Sequence, residues 1–92
     1  MPVWLIVEEE TGTTGEGGPR RQFTVLERLT RSRTRTEALA ELDKKARRYR
    51  PASLKGISCT VARDADGTFW YLPKSAKPHP PCALRLMEEI CR

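Results

Sequence analysis

The chain has 92 residues, of which 38% are hydrophobic and 32% charged, with a net charge of +5 and a mean hydropathy of −0.59. That length makes one small domain, residues 1–92, with little core in which to bury an active site. The longest apolar run near the start, residues 3–7, is far short of the ~18 residues of a membrane-spanning helix, and recurring apolar periodicity excludes a wholly disordered chain.

Residues 3–9 have strand composition, with Val3, Leu5 and Val7 on one side and Trp4, Ile6 and Glu8 on the other. Residues 11–19 contain four glycines and are predicted to form a loop. A second strand follows at 21–30, with Phe23, Val25, Glu27 and Leu29 sharing one side. The two strands make an antiparallel hairpin with an unusually long tip. Thr34 followed by Glu37 matches a capping box, with Thr36 as the alternative cap. The helix it opens runs over 35–50 until Pro51 stops it. Ala38, Leu39, Leu42, Ala46 and Tyr49 fall within an arc of about 100° and form its core face.

Residues 57–63 alternate as a third strand. Residues 64–67 end in Asp66-Gly67, a strong hairpin signal, and the fourth strand is 68–72. After a Pro/Lys connector, residues 82–91 place Ala83, Leu84, Leu86, Met87, Ile90 and Cys91 within an arc of about 160°, which predicts a second helix. The order ββαββα gives an α+β fold: one antiparallel four-stranded sheet with two helices packed on one face, the other face being wetter.

Charge is laid out in blocks. Residues 1–19 carry four acids and no Lys or Arg, whereas 20–55 carry twelve Lys/Arg against four acids. Arg31, Arg33 and Arg35 alternate along an extended segment, Arg20 and Arg21 enter the same strand, and Lys44, Arg47, Arg48 and Arg50 add a helical stripe. With the hydroxyls of Thr30, Ser32 and Thr34 between them, these groups suit phosphate contacts. Trp70, and Trp4 if it lies on the open sheet face, could stack on bases. A plainly solvated basic surface, with both tryptophans in the core, is the structural alternative.

Other chemistries are poorly supported. The Gly-rich loop lacks the Lys-Ser/Thr ending of a P-loop and leads into a strand, so no helix N-terminus waits for a phosphate. His79 and Cys82 have H-x-x-C spacing, and Cys59 and Cys91 could complete four ligands, but zinc sites show paired short spacings. Asp64 and Asp66 resemble a fragment of a calcium loop without its downstream Glu. The single histidine lies between prolines, which leaves no nucleophile–base pair. Glu27 would need a partner such as Arg35 were it on the core side; exposure at the sheet edge is the simpler reading. The expectation is therefore a non-enzymatic chain with no catalytic residue, no metal and no small-molecule cofactor.

The opening Trp4-Leu5-Ile6-Val7-Glu8-Glu9-Glu10-Thr11-Gly12-Thr13-Thr14-Gly15-Glu16-Gly17, followed by Phe23-Thr24-Val25-Leu26, resembles a group of short uncharacterised proteins of high-GC Gram-positive bacteria. Those proteins share a W-x-V-x-E-x-x-T-G-T-T-G-E-G start, a W/F-T-V-L strand and an Ala/Leu/Arg-rich helix. The resemblance covers the first half, departs from residue 55 onward, and implies a bacterial cytosolic origin without assigning an activity. Thr34-Arg35-Thr36-Glu37-Ala38 is similar to the helix start of sheet-reading DNA-binding modules of integrases.

Three cysteines make a poor disulfide framework. No signal peptide or C-a-a-X motif is seen, which makes the cytoplasm the expected location. The functional expectation is a small binding module that contacts nucleic acid mainly through phosphates. The alternative is a protein-interaction or regulatory module, a homodimer included, acting through a sheet edge or the Gly-rich loop. No membrane partner is expected.

Overall fold

A computed structural model of the chain describes residues 3–14, 18–31, 34–51, 54, 56–74 and 82–91, with the backbone alone at 11–14 and 18–21. Strands β1 (Val3–Thr14) and β2 (Gly18–Leu29) precede a single helix, α1 (Arg35–Arg48). Strands β3 (Cys59–Arg63), β4 (Phe69–Pro73) and β5 (Cys82–Glu89) follow it. The five strands form one antiparallel sheet in the order β2-β1-β5-β4-β3. The fold is mostly β, not a four-stranded sheet with two helices.

The decisive difference lies at 82–91. Its Ala, Leu, Arg, Met and Glu residues favour a helix locally, yet Cys82–Glu89 is the middle strand. It pairs with β1 from Glu10↔Cys82 to Val3↔Glu89 and with β4 from Tyr71↔Cys82 to Phe69↔Leu84. Cys82, Leu84 and Leu86 join the core cluster, and the intervening Ala83 is buried as well. Backbone pairing on both sides and burial on both faces override a propensity of a few tenths of a kcal/mol per residue.

The Gly-rich stretch differs too. Only residues 15–17 separate the paired strands, because 11–14 pair with 18–21 up to Thr14↔Gly18. Thr11, Thr13 and Thr14 favour extended backbone, and a three-residue connection is ordinary for a hairpin. Since β5 begins opposite Glu10, these residues continue as a two-stranded ribbon beyond the sheet. β1 alone spans ~40 Å at ~3.3 Å per residue, which accounts for the 42 Å long axis.

A register shift changes the faces of β2. Ile6 pairs with Glu27 while Val7 pairs with Val25, so Leu26 is an extra residue. The bulge turns Phe23 and Val25 to the face opposite Glu27 and Leu29, instead of keeping all four together.

One face carries the core. Ile6, Leu84, Phe69, Tyr71 and Leu29 meet Ala38, Leu42 and Ala46 of α1. The Glu37 N–H donates to Thr34 Oγ1 at 3.1 Å, and the Thr34 hydroxyl meets Glu37 Oε1 at 3.2 Å. Thr34 is thus the cap, with the carboxylate on its hydroxyl rather than on its backbone N–H. At the other end Tyr49 turns extended just before buried Pro51. The Ala46 carbonyl there accepts from the Tyr71 hydroxyl at 2.9 Å, which satisfies a last-turn acceptor. The Asp64 carboxylate accepts from the N–H groups of Asp66 and Thr68 at 2.9 and 3.0 Å. Gly67, at φ +86°, adopts the left-handed backbone the β3–β4 turn needs.

Leu42 is fully buried at the centre of this contact. Leu42→Ala is expected to cost about 2–5 kcal/mol, read from the urea unfolding midpoint. Ala40→Ser, on the exposed side of the same helix, should leave the midpoint nearly unchanged.

Candidate nucleic-acid interface

The helix lies along the sheet and joins its two ends. At its N-terminal end Arg35 Nη2 donates to the Asp66 carbonyl in the β3–β4 turn at 3.4 Å. At its C-terminal end the Tyr49 hydroxyl donates to Glu8 Oε2. Glu8 is two residues before the last β1–β5 pair, so the end of the helix stands beside the base of the ribbon.

That half of the helix is basic. Lys44, Lys45, Arg47, Arg48 and Arg50 fall within seven positions. Lys44, Arg47, Arg48 and Arg50 are exposed, and Lys45 lies 5.9 Å from the Tyr49 ring centroid. Cations in the last turn complement the helix dipole, so part of their role is structural. Arg20 and Arg21 sit at the adjoining base of the ribbon, in register with Gly12 and Thr11. Ribbon and helix end therefore bring seven Lys/Arg residues to one end of the molecule.

Local acids engage some of them. Arg47 bonds Asp43, whose second oxygen is 3.9 Å from Arg63. The guanidinium of Arg47 holds the Asp43 carboxyl below its usual range. Lys44 is 3.6 Å from Glu41, an exposed pair of little energetic weight. Arg48 and Arg50 bond only carbonyls among the described contacts.

The alternating arginines do not join this end. Arg31 and Arg35 stand at the opposite end of the helix, ~20 Å away at ~1.5 Å per residue, and Arg33 lies outside the described residues. Trp70 faces away from the helix, and its Nε1 donates to Asp64 Oδ2 at 2.8 Å. Trp4 packs against the core from the helix side, not from the open sheet face. The predicted set is thus split between two ends and two faces. A groove of about 610 Å³ between β2 and α1 is lined by Glu27, Glu37 and Glu41 together with Arg28 and Arg31. Its mixed charge does not extend the basic end. Glu27 is exposed there, as the simpler of its two readings expected.

One constellation escapes sequence reasoning because its members are far apart in the chain. Ligand atoms of Glu8, Glu10 and Cys82 lie within 4.8 Å of one another. Burial pushes the Cys82 thiol up to about 12, with the charges of Glu8 and Glu10 adding to the rise. An ion would have to displace the thiol proton to bind there, and Glu8 is already held by Tyr49. Cys82 opens β5 and Cys91 lies past its last residue, Glu89, so the ~23 Å run of the strand at ~3.3 Å per residue stands between them and they do not share an ion. His79 lies outside the described residues. The thiols of Cys59, Cys82 and Cys91 are free.

The chain matches no protein-family model, no curated protein and no solved structure. Among the described residues no helix is long and apolar enough to cross a membrane.

The Glu8–Tyr49 contact locks the basic helix end to the ribbon base, and it is sensitive to pH. Burial raises the Glu8 carboxyl above its ordinary value of 4.5; the Tyr49 hydrogen bond opposes the rise and Glu10 adds to it. The folded chain then holds this proton more tightly than the unfolded one. The contribution of Glu8 is fully present below the ordinary carboxyl range and is lost as pH climbs through the raised value. Glu8→Gln should flatten this slope, measured as the thermal midpoint over about pH 4–7.

Proposed function

We propose that this protein is a non-enzymatic nucleic-acid-binding module whose contacts are mainly with phosphates. The observation that carries the reading is the meeting of a protruding β-ribbon with the basic half of α1. A two-stranded ribbon fits the major groove of a duplex, and cations beside it can take the flanking phosphates. In this reading Lys44, Arg47 and Arg48 contact the backbone, and Arg20 and Arg21 extend the contact along the ribbon. On the same reading Arg31 and Arg35 are too far along the helix to share that footprint, and Trp70, on the face away from the helix, lies outside it. Three free thiols suit the reducing cytoplasm in which such a module would work.

Fluorescence anisotropy with a labelled DNA duplex and with a single-stranded RNA tests the reading. About five neutralised phosphates imply a loss of roughly 10²–10³-fold in affinity between about 50 and 200 mM salt. The double variant Lys44→Glu/Arg48→Glu should weaken binding on every sequence alike, by at least ~30-fold. Arg31→Glu, at the far end, should change it less than ~threefold. No binding at low salt overturns the proposal. So does an equal response to the two ends, which would mark a diffuse effect of net charge.

A further inference from the structure

We infer that the sheet face turned away from α1 is where two copies of this chain meet, sheet against sheet about a two-fold axis. An antiparallel sheet that keeps one face in water normally alternates apolar and polar residues along each strand. This sheet does not. On the face without the helix, Val25 is 54% exposed, Phe23 50%, Leu72 49% and Met87 36%. These residues come from β2, β4 and β5, so the apolar surface runs across the sheet instead of following one edge.

The charges on this face favour an identical partner. Arg28 crosses to Glu89 through two bonds, at 3.2 and 2.7 Å, and Arg85 Nη2 is 2.7 Å from Glu9. Both pairs close within one chain. From these two pairs an approaching second copy would therefore meet no surplus of either sign, although the whole chain carries +5. The helix side, with its unbalanced cations, would repel another copy. A strongly acidic or basic peptide would find no uncompensated charge to recruit it. A two-fold axis presents this same surface to itself.

The area is adequate. Five strands ~4.8 Å apart and about eight residues at ~3.3 Å give a footprint of roughly 600 Å² before side-chain relief is counted. A standard interface buries ~800 Å² per partner. Stacked sheets lie ~10 Å apart, so half-exposed Leu, Val and Met side chains would interdigitate across the gap.

Sedimentation equilibrium of the full chain tests this over about 5–200 µM. The expected result is a monomer–dimer equilibrium that persists or tightens as salt rises, because ion pairs internal to each copy do not hold the interface. Val25→Glu and Leu72→Glu should each weaken it by at least ~tenfold, with far-UV circular dichroism unchanged. The milder Val25→Thr and Leu72→Thr should act in the same direction and guard against misfolding. A monomer throughout this range overturns the inference. A dimer sensitive to Val25 but indifferent to Leu72 also overturns it, since that pattern marks pairing along the β2 edge. A dimer dissolved by salt does the same. The basic end of a single copy is complete without this interface, so binding by the monomer and failure to dimerise are told apart and the two proposals fail separately.

Discussion

Two hairpins become one sheet because Cys82–Glu89 lies between them. β1–β2 and β3–β4 form locally, each across a short turn, but neither hairpin bonds the other. β5 closes the gap by pairing with β1, more than seventy residues earlier in the chain, and such non-local pairings are the slow kind to form. The helix then has a continuous floor. Ala38, Leu42 and Ala46 pack on Ile6, Leu84 and Tyr71, which come from three strands that β5 holds side by side. Without that strand the helix would have two narrow hairpins to pack on, and isolated hairpins are marginal in water.

The same constraint sets where charge goes. At the end where β5 starts, β1 and β2 continue alone as a ribbon, and the helix end is tied down beside it by Tyr49 and Glu8. Toward the sheet's far face the long side chains of Arg28 and Arg85 reach carboxylates two strands or one strand away. Those bonds consume charge on that face and leave the surplus on the helix. A net charge of +5 is thereby distributed unevenly, with these two pairs balanced across the far face while Arg48 and Arg50 on the helix side bond only carbonyls among the described contacts.

Elements with local signals were legible in the sequence. Thr34 and Glu37 placed the helix start, Pro51 its end, and Asp66-Gly67 the β3–β4 turn, all through chemistry within a few residues. What failed depends on distant partners. Residues 82–89 look helical by propensity and become a strand because β1 and β4 flank them. Leu26 bulges because the register with Ile6 and Val7 shifts, which moves Phe23 and Val25 to the other face. Glycine at 12 and 18 disfavours a strand locally, yet a paired partner on one side suffices to hold extended backbone. The basic helical stripe was readable from composition and period. Its separation from Arg31 and Arg35 was not, because the direction of α1 along the sheet is set by contacts with Asp66 at one end and Glu8 at the other.

A face-to-face pair would keep both helices outward, since α1 and the apolar surface lie on opposite sides of one sheet. The basic ends would then be doubled rather than hidden. Two linked sites raise the effective local concentration of the second, so avidity for a polyanion would exceed that of one copy without any new contact. The two interactions respond oppositely to salt. Counterion release weakens phosphate binding steeply, whereas an apolar interface with its charges closed internally is indifferent or strengthened. In such a pair the apolar face and the basic helix end would serve the two interactions from opposite sides of one sheet. Val7, on the face without the helix, is already buried within one copy, while Ile6 lies in the core on the other face.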